Sequence, residues 1–133
     1  MKFFILFLMI AACAQEIIIE KTLYGTSDVG TDVIKLTSQG DNHIFYQEPN
    51  SFNEDSSKFI FKSQRNGKDG LYVIDIQSGE ITLLSNSFGH IAAWSGDEVF
   101  FGQHGKITAI DVHTMKKRDL PIPEQSWNTF LTC

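Results

Sequence analysis

Short apolar runs separated by turn residues recur along this chain, and that recurrence restricts it to sheet architectures. The clearest stretch runs from Glu48 to Ser85. It opens on a polar turn, Asn53-Glu54-Asp55-Ser56, which leads into the strand candidate Lys58-Phe59-Ile60-Phe61. A loop rich in Gly and Asn is expected over Arg65-Asn66-Gly67-Lys68-Asp69-Gly70, then a strand over Leu71-Tyr72-Val73-Ile74-Asp75-Ile76. Gln77-Ser78-Gly79-Glu80 is the next turn, and Ile81 to Leu84 the next strand. Short strands bounded by such turn chemistry signal an all-β sheet. The pattern then returns. Trp94-Ser95-Gly96-Asp97 matches Phe52-Asn53-Glu54-Asp55, Val99-Phe100-Phe101 matches Phe59-Ile60-Phe61, and Ile107 to Val112 matches Leu71 to Ile76. In the second copy the intervening loop is expected to shrink to Gly102-Gln103-His104-Gly105. A unit that recurs with its turns in register is one supersecondary element that buries its faces by stacking on its neighbours.

Ahead of these units, residues 1–14 look like an export signal. Lys2 is the charged start and Phe3 to Ile10 is an apolar run, far short of the ~20 residues that span a bilayer. Two cleavage points stay open. Ile10-Ala11-Ala12-Cys13 resembles a bacterial lipobox, with Cys13 lipidated as the first mature residue, while Ala12-Cys13-Ala14 fits cleavage before Gln15. The lipobox is favoured, and the protein is then exported, periplasmic or anchored to the outer membrane through that lipid. Two cysteines make no disulfide scaffold. A net charge of −5 argues against a nucleic-acid partner. It leaves room for an acidic sugar, which needs only a few local cations.

The repeat unit resembles the blade shared by oligogalacturonate lyases and Tol-system periplasmic propellers. The matching residues are the Lys58-Phe59-Ile60-Phe61 strand, Ser63 to Gly67, Leu71 to Asp75 and Ser78-Gly79-Glu80. The first turn departs from the family's Pro-Asp-Gly, with Glu54-Asp55-Ser56 in its place. Three flanking segments point to the lyases: His43-Ile44-Phe45-Tyr46-Gln47, Asn86-Ser87-Phe88-Gly89 and Glu124-Gln125-Ser126-Trp127. The fold implied is all-β, an incomplete β-propeller. Residues 16–37 would end one blade, 43–85 and 90–120 would be two more, and 121–133 a linker. Closed propellers hold about 4–8 blades, so some two and a half blades leave the wheel open. A fragment of a longer product, or one part of an assembly, is expected.

The resemblance implies a parent enzyme that cleaves oligogalacturonides by β-elimination, with manganese as the divalent metal stabilising the enolate. The alternative is a Tol-like module that binds protein or sugar without catalysis. In the lyases the metal ligands and basic residues come from later blades, so no catalytic or metal residue is assigned here and the chain alone is expected to be inactive. His43 and Gln47, placed where an innermost strand borders the central channel, are the candidate contacts for an acidic oligosaccharide. Asp75 and Asp111 recur at matched positions, which favours a turn hydrogen bond over catalysis. Trp94 and Trp127 are expected to pack rather than stack on sugar.

Overall fold

The computed structural model describes residues 17–45, 51–65, 67–89, 92–103 and 105–121. Among the described residues every regular element is a strand. The first large sheet runs β1-β7-β6-β5-β4, from β1 (Ile18–Ile19) through β7 (Glu80–Ser85), β6 (Lys68–Asp75) and β5 (Lys58–Arg65) to β4 (Asp41–His43). The second runs β11-β10-β9-β8, with β8 (Ala92–Ser95), β9 (Glu98–Gln103), β10 (Lys106–Asp111) and β11 (Lys117–Leu120). A two-stranded ribbon joins β2 (Thr22–Thr26) to β3 (Asp32–Lys35). All pairings are antiparallel. The all-β expectation holds, and each large sheet is a meander of the blade type.

The two sheets stack on one apolar layer. Ile60, Leu71, Val73 and Leu84 from the first meet Ala92, Val99, Phe101 and Ile110 from the second, with Phe45 beside them. The other face of the first sheet carries Phe61, Tyr72, Ile74 and Ile81, packed against Ile18 and Leu36 of the N-terminal segment. Both faces of β6 are therefore covered, which is why Leu71-Tyr72-Val73-Ile74 reads as an unbroken apolar run rather than an alternating one.

In the N-terminal segment, Ile18 and Ile19 pair with Ile81 and Glu80 at the outer edge of the first sheet, and among the described residues β2 and β3 pair only with each other. The reason is the apolar face of Phe61, Tyr72 and Ile74: it needs a cover, and this segment supplies one.

The expected loops are shorter than read. Arg65 pairs with Lys68 and Gln103 with Lys106, so each ladder runs right up to the turn that holds Gly67 or Gly105. Gly67 and Gly105 sit at φ 72° and 74°, the left-handed values such turns demand. What shrinks in the second unit is the strand length, from 8 residues in β5 and β6 to 6 in β9 and β10. Ladder pairs alternate between hydrogen-bonded and non-bonded types. Removing residues two per strand keeps the same pair type beneath the turn, and every side chain keeps its face.

The matched aspartates build matched corners. Asp75 Oδ1 accepts from the Ser78 amide at 2.8 Å, and Asp111 Oδ1 from the Thr114 amide at 2.7 Å. Gly79 N donates to Asp75 O, and Met115 N to Asp111 O, both at 2.8 Å. The preceding turns align two residues later than the sequence match suggested. Ile76 N donates to Ser57 O and Val112 N to Asp97 O, so Ser56 (φ 59°) is the counterpart of Gly96 (φ 57°). The Glu54-Asp55-Ser56 departure thus leaves a serine in a glycine conformation. Trp94 packs against the core as expected, its Nε1 donating to Ser51 O at 3.0 Å.

Two outcomes follow from these corners. Ser56→Gly removes left-handed strain from a residue with a Cβ, and urea denaturation should register a gain of about 0.5–1 kcal/mol. The Ser78 amide and the Lys58 ammonium hold the Asp75 carboxyl down at about 2. A folded-state value below the ordinary 3.8 gives stability that is complete above 3.8 and fades as the pH falls toward 2. Asp75→Asn should cost about 1–2 kcal/mol at neutral pH, after discounting for solvent screening, and should flatten the stability–pH curve in that window.

Candidate functional site

The candidate site lies beside the innermost strand of the first sheet. His43 pairs with Lys62, and Phe52 bridges to Phe59 along the same ladder. The cleft beside β4 has a volume of about 610 Å³, with Asp41, His43, Lys62, Asp69, Asn86 and Phe88 on its walls.

A buried polar network holds β4 in place. Glu20 and Arg65 are 7% and 8% exposed and pair through the two terminal guanidinium nitrogens, Nη1 and Nη2. The amides of Ser38 and Gln39 donate to Glu20 Oε2 at 2.7 and 3.0 Å. Arg65 also reaches Asn42 Oδ1 at 3.4 Å, and Ser63 Oγ donates to the same oxygen at 2.7 Å. Asn42 Nδ2 donates in turn to the Gln39 and Gly40 carbonyls. Asn42 lies between Asp41 and His43, so the network fixes the strand that presents both to the cleft. Desolvation pushes the Glu20 carboxyl up, but its bonds to Arg65 and to the two amides outweigh that and hold it below its ordinary value. Arg65 Nε is buried and has no partner among the described residues, while the guanidinium carbon stands 5.5 Å from the Tyr72 ring centre.

His43 lines the cleft. Its Nε2 lies 3.2 Å from Asp41 Oδ1, and both side chains are exposed, so that pair adds little to stability. Gln47 falls outside the described residues, as do Cys13 and Trp127. Sequence reasoning passed over Lys62. The signal was present: along β5 the alternation that points Ile60 into the apolar layer points Lys62 the same way, a charge at an inward position. Its ammonium sits 4.9 Å from the Phe45 ring centre and 5.7 Å from that of Phe88. Among the described residues no three His, Cys, Asp or Glu side chains converge. These described side chains do not make a manganese site.

No protein-family profile and no curated protein sequence matches the chain. Solved structures do. An oligogalacturonate lyase from Vibrio parahaemolyticus superposes with a TM-score of 0.64 at 18% identity, covering 84% of this chain and 32% of that one. An oligogalacturonate lyase in complex with manganese superposes with a TM-score of 0.58 at 22% identity, covering 81% and 32%. At such identities the likeness establishes the fold, which is that of an incomplete β-propeller. The chain spans less than a third of either structure.

Breaking the network by removing one partner leaves an uncompensated buried charge, which costs about 3–5 kcal/mol. Arg65→Met and Glu20→Gln should each lose stability on this scale in urea denaturation. In the unaltered chain the Glu20 contribution is full above its ordinary carboxylate value and disappears as the pH falls through its lower folded value. Glu20→Gln should therefore remove part of the acid sensitivity.

Proposed function

We propose that this chain is a sector of an exported propeller of the oligogalacturonate-lyase type, and that it holds an acidic oligosaccharide without cleaving it. The observation carrying this is the superposition on two oligogalacturonate lyases over more than four-fifths of the chain. The cleft supports it. His43, the residue singled out by the resemblance, lines a polar hollow of about 610 Å³, of a size with known ligand sites. Lysine and imidazole beside amide side chains suit a sugar that carries carboxylates and hydroxyls.

Elimination from a uronate needs a base at C5 and a stabiliser for the enolate that forms. The cleft offers His43 as a proton acceptor, with Asp41 3.2 Å away to orient it. It offers one ammonium, Lys62, and no converging set of metal donors among the described residues. Binding without turnover is the expectation this donor set supports, with the remaining chemistry supplied by blades outside this sector. Export through the leader, with Cys13 lipidated or cleavage before Gln15, belongs to the same reading.

The test is to incubate the chain with trigalacturonate and manganese. Absorbance of the unsaturated uronate product should stay flat, while saturation-transfer NMR should detect the bound trisaccharide. Sustained turnover would show that the chain holds a complete catalytic set. Absence of any saturation transfer would remove the oligosaccharide as its ligand.

A further inference from the structure

Within that proposed function, we infer that Lys62 is the carboxylate receptor of the cleft and selects a single uronate unit over a neutral sugar. The argument starts from how this protein treats its cations. Among the described residues four lysines and arginines are not fully exposed: Lys21, Lys58, Lys62 and Arg65. Three of them have oxygen partners. Lys21 Nζ donates to the carbonyls of Ile76 and Gln77 at 2.7 and 2.6 Å, Lys58 pairs with Asp75 at 2.9 Å, and Arg65 pairs with Glu20. Lys62 alone of the four has rings and no oxygen partner among the described residues. Phe45 and Phe88 take the ammonium at 4.9 and 5.7 Å, and it takes part in none of the ion pairs among the described residues.

Ring faces attract a cation but accept none of its three hydrogen bonds in the way an oxygen does. A half-buried ammonium in a cleft wall, oriented by two rings and with no acceptor among the described residues, is prepared for an anion from outside. The rest of the wall limits which anion. Asp41 and Asp69 also line the cleft, so a second negative group meets repulsion. Asn86 and Gln64 present amides suited to hydroxyls, and Phe88 presents an aromatic surface of the kind that packs on a pyranose face. One carboxylate on a hydroxylated ring satisfies all of these at once. A free phosphate or acetate satisfies only the ammonium.

Calorimetric titration of the full chain tests this with trigalacturonate, a neutral galactotriose of the same linkage, galacturonate and acetate at matched ionic strength. The unaltered chain should favour the acidic trisaccharide. Lys62→Met should weaken that binding about 10-fold or more, the scale of one charge-assisted hydrogen bond, and leave the neutral trisaccharide unchanged. Lys62→Arg should retain most of the preference, and Lys106→Met, which removes an exposed cation elsewhere, should have no effect. Far-UV circular dichroism checks that each variant keeps its sheets. Trigalacturonate binding that survives Lys62→Met within twofold would overturn the role of Lys62 while leaving the oligosaccharide function intact. Acetate competing as well as galacturonate would reduce the cleft to a general anion site and overturn the uronate assignment. Preference for a glucuronate oligomer over trigalacturonate, lost in Lys62→Met, would uphold Lys62 and discard the galacturonate reading. Binding of no sugar at all would overturn both.

Discussion

The first sheet has two apolar faces, and the second sheet covers only one of them. The rest of this structure follows from that imbalance. The second sheet covers Ile60, Leu71 and Val73, and the same apolar layer unites both repeats. Phe61, Tyr72 and Ile74 then need another cover, and Ile18 and Leu36 reach across to provide it. Burying that segment brings Glu20 in with it, and a buried carboxylate demands a cation and donors. Arg65 and two backbone amides meet the demand, and through Asn42 the same network sets the strand that carries His43. The positioning of the cleft thus descends, contact by contact, from a face that one neighbouring blade leaves bare.

The corners show how a repeat tolerates change. Asp75 and Asp111 repeat with their acceptor geometry intact, because each ties a turn amide that would otherwise go unpaired. Around them the chemistry drifts. A left-handed position is glycine at 79 but methionine at 115, and glycine at 96 but serine at 56. Each substitution adds strain of roughly 1–2 kcal/mol, which a corner tied by several hydrogen bonds can absorb. Strand length drifts as well, by two residues per strand, the smallest step that leaves the ladder and its faces undisturbed. The constraint lies in hydrogen-bond parity more than in residue identity.

Charge in this protein is local. The chain is acidic as a whole, yet its cleft holds an ammonium turned to two rings and an imidazole beside a carboxylate. A net charge of either sign says little about such a site, because exposed charges beyond about 8–10 Å are screened while those sharing a partly desolvated cleft are not. An acidic exterior and a receptive interior are compatible for that reason.

The sequence by itself determined the strand order within each unit, the hairpins, and the matched Asp corners, since these depend on residues close in the chain. Val99-Phe100-Phe101 could be laid on Phe59-Ile60-Phe61 by eye, and the ladder agrees. The tertiary structure alone decided where residues 17–36 go, because an isolated Ile-Ile pair is equally suited to any sheet edge and only the bare face of Phe61 and Tyr72 selects one. It alone paired Glu20 with Arg65, 45 positions apart, and brought Lys62 to Phe45 and Phe88. Long-range partners such as these leave no local period to read: each is fixed by which faces meet, and that is settled only when the sheets stack.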